Sequence, residues 1–147
     1  IKLKFENGKN FSQELDMLRE LGSAETLPFL EKMYIINNTN FKGSEELLLR
    51  FKNETNQYIS NVIVSKKNLI KPFLSFIEIQ PSKKNDLSNE VLIKLRNVND
   101  LIIKKEYKES FEILKSIKAN EYFNKTFEQL NIGINFYSTL EGIIKNG

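Results

Sequence analysis

The sequence predicts an all-α fold, an irregular bundle of about six helices that ends in a helical hairpin and one long C-terminal helix. Apolar residues recur at spacings of three and four through the last third of the chain. This spacing places them on one helical face, because an α-helix has about 3.6 residues per turn. A polar turn at Lys105-Glu106 separates the first two of three helices. Their apolar stripes are Val91, Leu95, Val98 and Ile102; Tyr107, Phe111 and Leu114; and Phe123, Phe127, Leu130, Ile134 and Tyr137.

The N-terminal segment allows two interpretations and then gives a clear helix. Residues 1–5 alternate apolar and polar side chains like a strand, but the spacing of Ile1 and Phe5 also fits the end of a helix. Asn10 is a predicted N-cap with Gln13 completing a capping box, and Gly22 is a predicted left-handed C-cap. The apolar stripe between these caps is Phe11, Leu15, Leu18 and Leu21.

Two more helices precede an ambiguous region. Thr26 caps the first of them, and Gly43-Ser44 opens the second. Residues 62–80 fit a broad helical face, but Pro72 interrupts its hydrogen bonds, and residues 73–79 also fit a short strand.

The length of 147 residues suits one domain with a substantial core. We therefore predict a single helical domain over 1–147, with a sub-boundary in the 80–88 loop as the alternative. Because the chain begins with Ile1, we interpret it as a soluble fragment of a longer protein. The predicted core contains Leu15, Leu18, Phe51, Leu95, Phe111, Leu114, Phe127, Leu130 and Ile134.

Composition argues against most reactive chemistry. The chain lacks His and Cys, which removes the commonest general base and the usual ligands of zinc, copper, haem and iron–sulfur clusters. The carboxylate pairs Glu45-Glu46 and Glu106 with Glu109 fit solvated helix positions. We therefore expect no enzyme activity, no cofactor, no metal and no small-molecule substrate.

The basic charge does not favour nucleic-acid binding. The formal charge is +3, and nearly all cations are lysines rather than the arginines that bind phosphate and guanine in a bidentate manner. A protein partner, with self-association as one form of it, fits the apolar stripes better. The residues expected to line its groove are Tyr107, Tyr122 and Phe123.

Residues 62–79 also mix lysines with large apolar side chains, as interfacial helices do. The alternative, which composition favours, is ordinary core with solvated lysines. If the segment meets an anionic membrane, the contacting residues are Lys66, Lys67, Lys71, Phe73, Phe76 and Ile77.

Three blocks carry a family resemblance. Residues 7–18 contain Gly-x-x-Phe-x-x-Glu-Leu-x-x-Leu, residues 90–111 form a helix, turn and second helix, and residues 123–144 form an aromatic closing helix. Together they resemble the C-terminal region of alphaproteobacterial mitofilin-like proteins. In that family, Gly-Asp stands where this chain has Lys105-Glu106.

The resemblance implies a cellular location and a mechanical function. It implies an inner-membrane protein whose N-terminal transmembrane helix and coiled coil precede this helical domain in the periplasm. The implied function is a scaffold that shapes the membrane and organises contact sites. It also implies that residues 62–79 lie in the lipid-binding region. The alternative function is a helical adaptor that binds a partner peptide or helix without lipid.

Overall fold

The computed structural model describes residues 1–63 and 86–147, and side chains within 1–61 and 90–147. The described residues form seven α-helices and contain no strand, which confirms the all-α prediction. A π-helical turn, Ile59–Ile63, follows α4, and a 3₁₀ turn, Asn120–Phe123, leads into α7. The α-helices are α1 Lys2–Glu6, α2 Ser12–Leu21, α3 Leu27–Asn37, α4 Ser44–Tyr58, α5 Asp86–Lys104, α6 Tyr107–Lys115 and α7 Asn124–Asn146.

The helical interpretation of the N-terminal segment is confirmed. A strand would place Leu3 and Phe5 on the same face, whereas α1 leaves Leu3 74% exposed and buries Phe5. The Phe5 ring stacks between Phe41 and Phe136, with centroid distances of 4.2 and 3.8 Å. An aromatic stack thus fixes this short helix against the rest of the fold.

The start of α2 is capped by two asparagines. Asn10 Oδ1 accepts hydrogen bonds from the backbone N–H of Ser12 (2.9 Å) and from its hydroxyl (2.8 Å). Asn37, at the end of α3, accepts the N–H of Phe11 (2.9 Å). The N-cap position itself is Phe11, one residue later than predicted, and the capping box of Asn10 with Gln13 is not formed. Asn10 instead binds the first helical residue from the position before the cap, and α3 supplies a second acceptor that the sequence pattern did not indicate.

The predicted left-handed cap at Gly22 is wrong. Gly22 has φ −79° and ψ 155°, an extended conformation that any residue adopts. Its lack of a side chain serves close packing, because a Cβ would lie 2.8 Å from the carbonyl oxygen of Leu18. Gly43 is the position that needs glycine for its backbone, since its φ is +99° immediately before α4.

The C-terminal hairpin and long helix are confirmed. α5 packs on α4 and α6, while α7 packs on α3, α4 and α6. The chain reverses at Lys105, which takes the left-handed conformation with φ 65°. The N–H groups of Lys105 and Glu106 donate to the carbonyls of Ile102 (3.0 Å) and Leu101 (2.9 Å), closing the end of α5.

One hydrophobic cluster contains core residues from both sides of residues 64–85. Phe11, Phe51, Phe123 and Phe136 are its largest fully buried side chains. The predicted core residues that are fully buried are Leu15, Phe51, Leu95, Leu114 and Leu130.

Four predicted core residues lie at the margin of that cluster instead. Phe111 and Phe127 pack edge-to-face at 4.9 Å and are half-buried, because they lie at the flank of the α6–α7 seam. Leu18 and Ile134 are also half-buried and pack against the core.

Candidate functional site

The buried carboxylate of Glu6 contacts side chains from α4, the α5–α6 turn, α6 and α7. Glu6 ends α1 and is 5% exposed. The Tyr107 hydroxyl donates to Oε2 at 3.0 Å, and the Lys105 ammonium lies 3.3 Å from the same oxygen. The hydroxyls of Ser44 and Tyr137 also donate to this carboxylate. We call Glu6 and these four partners the Glu6 cluster.

The Glu6 cluster satisfies a charge that would otherwise be costly to bury. A carboxylate removed from water needs hydrogen bonds or a counter-ion, and this one has three hydroxyl donors and one ammonium. Burial, with the adjacent Glu6 carboxylate, raises the pKa of both Tyr107 and Tyr137 far above the ordinary value of a phenol. Both phenols are therefore neutral donors at physiological pH.

A cleft of about 470 Å³ opens beside the Glu6 cluster. It lies where α7 extends past the start of α6, so that the α5–α6 turn faces the middle of α7. Tyr107 is its most buried lining residue. The others are Lys105, Glu106, Lys108 and Glu109 on the α5–α6 side, and Ile134, Tyr137, Ser138 and Glu141 on α7.

The cleft is acidic although the chain is basic. Lys105 is paired with Glu6. Among the residues that the structure describes, Lys108, Glu106, Glu109 and Glu141 form no ion pair. The lining therefore holds three unpaired carboxylates and one unpaired ammonium, with the Lys2 ammonium close by over the Tyr137 ring, in a chain with 22 basic and 19 acidic side chains.

The predicted partner groove at Tyr107, Tyr122 and Phe123 needs correction. Tyr107 and Phe123 are 2% and 0% exposed, so neither is available as a surface contact. The aromatic residues of α4 take up this surface: Phe123 packs against Phe51 and Tyr58, with centroids 6.0 and 5.4 Å apart.

The structure also separates Tyr107 from Tyr122 and Phe123, which are neighbours that both pack on Tyr58. Tyr107 contacts the middle of α7, where its ring meets that of Tyr137 at 5.8 Å. Tyr122 lies before the start of α7, is half-buried and packs on Tyr58 at 5.9 Å. Of the three, Tyr107 alone lines the cleft. The predicted lipid contacts Lys66, Lys67, Lys71, Phe73, Phe76 and Ile77 lie outside the described residues.

A second buried carboxylate, Glu54 on α4, was also missed by the sequence analysis. Its oxygens accept the backbone N–H groups of Lys125 and Thr126, both at 3.1 Å, and the Thr126 hydroxyl at 2.6 Å. Glu54 thus caps the N-terminus of α7 from another helix. The sequence does hold a signal, because Glu54 falls within the three-and-four spacing of Leu47, Phe51 and Tyr58.

Glu6 gave no comparable signal. Its hydrogen-bond partners Ser44, Tyr107 and Tyr137 are 38, 101 and 131 residues away in sequence. No protein-family model, characterised protein or solved structure matches the chain.

The described residues contain neither a membrane-spanning helix nor a cluster of metal ligands. Within the described residues, none of the helices is both long and apolar enough to cross a bilayer. The same residues contain no group of three or more acidic, histidine or cysteine side chains arranged to hold a metal ion.

Proposed function

We propose that this chain is a non-catalytic helical scaffold domain that recruits a protein partner, in the manner of the mitofilin-like proteins it resembles. The observation that carries the proposal is the cleft at the hairpin turn, whose two sides are tied together by the Glu6 cluster. A recognition surface held in place by buried bonds loses less conformational entropy when a partner binds. Recruitment of this kind needs a shaped surface and no reactive group.

The chemistry beside the cleft supports binding rather than catalysis. A general base works best when its pKa is near the operating pH. Tyr107 and Tyr137 have raised pKa values, so they do not act as bases near neutrality. The Glu6 carboxylate is buried and its oxygens already accept hydrogen bonds from three hydroxyls. These groups hold helices together instead of exchanging protons with a substrate.

The family resemblance supplies the more specific form of the proposal. In that form, the domain works at the periplasmic face of the bacterial inner membrane, shapes the membrane and organises its contact sites. An anionic membrane surface is then a second ligand, met by Lys66, Lys67 and Lys71 with Phe73, Phe76 and Ile77. Each lysine near an anionic surface contributes about 1 kcal/mol, so the apolar residues are needed for stable attachment.

Flotation with liposomes tests the membrane role. The chain is mixed with neutral vesicles or with vesicles containing anionic lipid, and wild type is compared with Lys66→Glu/Lys67→Glu/Lys71→Glu. We expect wild type to float with anionic vesicles only and the triple variant to remain in solution. Equal flotation of both proteins, or of neither, would remove the membrane role.

A second triple variant with the same change in charge shows whether flotation depends on Lys66, Lys67 and Lys71 or only on net charge. Lys9, Lys42 and Lys118 are exposed loop lysines, and replacing all three by Glu changes the charge by the same amount. We expect this control to keep most of its flotation. If it loses as much as the first triple variant, binding reflects net charge and residues 66–77 have no particular role.

The second candidate function is a helical adaptor that binds a peptide without touching lipid. The cleft favours it, because all of its lining residues belong to the α5–α6 turn, the start of α6 and α7, and binding there needs no membrane. A chain that ignores every vesicle yet binds a peptide at the α5–α6 turn would support the adaptor and exclude the membrane scaffold.

A further inference from the structure

We propose that the cleft between the α5–α6 turn and α7 binds a lysine or arginine side chain from a basic segment of the protein partner. This inference rests on the proposed function, because it names the chemistry of the partner that the domain recruits. It depends on the charges in the cleft, on the acceptor capacity of Tyr137 and on the attraction of the Tyr137 ring for a cation.

The first argument is charge complementarity. Glu106, Glu109 and Glu141 approach the cleft from its two sides, and Lys108 is the one lining cation that no described carboxylate neutralises. The sign of the cleft is therefore opposite to that of the whole chain. Opposite charges steer encounter and favour the correct partner, while an acidic ligand would meet repulsion here.

The donors and acceptors of the lining also favour a cation. The half-buried Tyr137 carries a single O–H, which is already donated to Glu6, so its oxygen can only accept further hydrogen bonds. The Tyr107 hydroxyl is buried and already bonded to Glu6 and Ser44, so it does not take part. Carboxylates are also acceptors, so the cleft offers acceptors from most of its polar atoms. Ammonium and guanidinium groups are donors without acceptor capacity, which makes them the complementary ligands.

A lysine of the chain itself lies beside the cleft. The ammonium of Lys2, which is not a lining residue, lies 5.3 Å from the ring centroid of Tyr137, within the range of cation–π attraction. Tyr137 is half-buried and its hydroxyl is fixed on Glu6, so its ring orientation is set before a ligand arrives. A partner cation therefore either displaces Lys2 from this ring or binds the lining carboxylates beside it.

The surface beyond the cleft indicates which type of residue should neighbour the basic one in the partner. Glu141 and Ile144 lie on consecutive turns of α7, and Ile144 is 71% exposed. A peptide that places its cation near Glu141 would bring a neighbouring side chain toward Ile144. The partner segment is therefore expected to contain a basic residue next to an apolar one.

Titration of the ¹⁵N-labelled chain with the peptide acetyl-Gly-Lys-Lys-Leu-Gly-amide tests the inference without lipid. We expect amide shifts to concentrate at residues 105–109 and 134–144, and no shifts with acetyl-Gly-Glu-Glu-Leu-Gly-amide. Shifts spread over other surfaces, or equal responses to the two peptides, would overturn the proposal. Shifts at the cleft that grow with protein concentration alone would assign it to a second copy of the chain and contradict a basic partner.

Variants with matched charge changes sharpen the test. Glu109→Gln/Glu141→Gln alters two exposed cleft residues, and Glu20→Gln/Glu31→Gln alters two exposed residues of α2 and α3. We expect the first variant to bind the lysine peptide about fivefold more weakly and the second to bind almost as wild type, since exposed ion pairs are individually weak. Equal weakening in both variants, or in neither, would refute a site at the cleft.

The membrane role and the basic ligand of the cleft can be contradicted separately by these experiments. A chain that binds the lysine peptide but floats with no vesicle loses the membrane role and keeps the cleft ligand. A chain that floats on anionic vesicles but ignores the peptide keeps the membrane role and loses the cleft ligand.

Discussion

Among single residues, Glu6 shows how one buried side chain joins several helices. Its carboxylate is nearly inaccessible and accepts hydrogen bonds from side chains of α4, α6 and α7. Removing it leaves three hydroxyls without their acceptor. Lys105 loses its ion pair, but its side chain is 39% exposed and can turn to water. The loss therefore comes mainly from hydrogen bonds to a charged acceptor rather than from an isolated buried cation.

We predict that Glu6→Ala lowers the free energy of unfolding by about 2–3 kcal/mol. Urea denaturation followed by circular dichroism measures the change. Glu20→Ala, at an exposed position of α2, is the control and should change stability by less than about 0.5 kcal/mol. Similar stabilities for the two variants would show that the Glu6 bonds contribute nothing net.

Two glycines on α7 test the packing of aromatic rings against a helix. A Cβ at Gly133 would meet three ring carbons of Tyr107, all within 3.0 Å, and one at Gly142 would meet three of Phe29, all within 2.9 Å. Tyr107 is buried and bonded to Glu6, whereas Phe29 is half-buried and has room to move outward. The same substitution should therefore have different costs at the two sites.

We predict that Gly133→Ala destabilises the fold by about 1–3 kcal/mol through overpacking, despite a gain of about 1 kcal/mol in helix propensity. Gly142→Ala should be close to neutral, because the propensity gain offsets a smaller rearrangement. Thermal and urea unfolding of the two variants provide the comparison. A stabilised Gly133→Ala variant would mean that the Tyr107 ring is free to move.

At the scale of elements, α7 depends on α4 for its first turn. The N-terminal N–H groups of a helix have no partner within the helix, and Glu54 accepts two of them, from Lys125 and Thr126. Its negative charge also lies at the positive end of the α7 dipole. The cap thus serves as a tertiary contact between two helices that are distant in sequence.

We predict that Glu54→Ala destabilises the chain by about 2 kcal/mol, the upper end for loss of an N-cap. Glu54→Gln should cost less, because its amide oxygen still accepts a hydrogen bond. Glu128→Ala, which removes an exposed acid from α7, serves as the control. Hydrogen exchange should show faster opening at Lys125 and Thr126 in the Glu54→Ala variant but not in the control.

The presence of each helix was easier to predict from the local spacing of apolar residues than the residue at which the helix ends. The three-and-four spacing correctly predicted α5, α6 and α7, because it depends only on residues within each helix. It failed to fix the end of α2, where Gly22 serves close packing with Leu18 instead of a left-handed turn. Element ends are set by neighbours that the periodicity does not contain.

For the whole molecule, the buried tyrosines predict loss of stability at high pH. The pKa values of Tyr107 and Tyr137 are raised in the folded state, chiefly by burial. Below pH about 10 the phenols are protonated in both the folded and unfolded states, so they add no pH dependence there. Above that pH the unfolded chain releases these protons while the folded chain retains them, and stability falls.

We predict that the free energy of unfolding decreases above pH about 10, with a slope that approaches about 1.4 kcal/mol per pH unit for each of the two tyrosines. Urea titrations between about pH 8 and about pH 11.5, which bracket the ordinary pKa of a phenol, measure the slope. Tyr137→Phe should lower stability at the start of this range and make the slope shallower. An unchanged slope in Tyr137→Phe would show that this phenol ionises as readily in the folded chain as in the unfolded one.

The all-α class, the hairpin and the long closing helix were predictable from the sequence, because amphipathic periodicity is a property of neighbouring residues. The same periodicity identified Leu15, Phe51, Leu95 and Leu114 as core, since their stripes are unambiguous. The position of the candidate site, in contrast, depends on tertiary packing. The Glu6 cluster joins residues up to 131 positions apart, and the cleft exists only where α7 passes the α5–α6 turn. Tyr107 and Phe123 are buried for the same reason. Burial depends on which helices pack together, and the spacing of apolar residues within one helix does not specify the helix that packs against it.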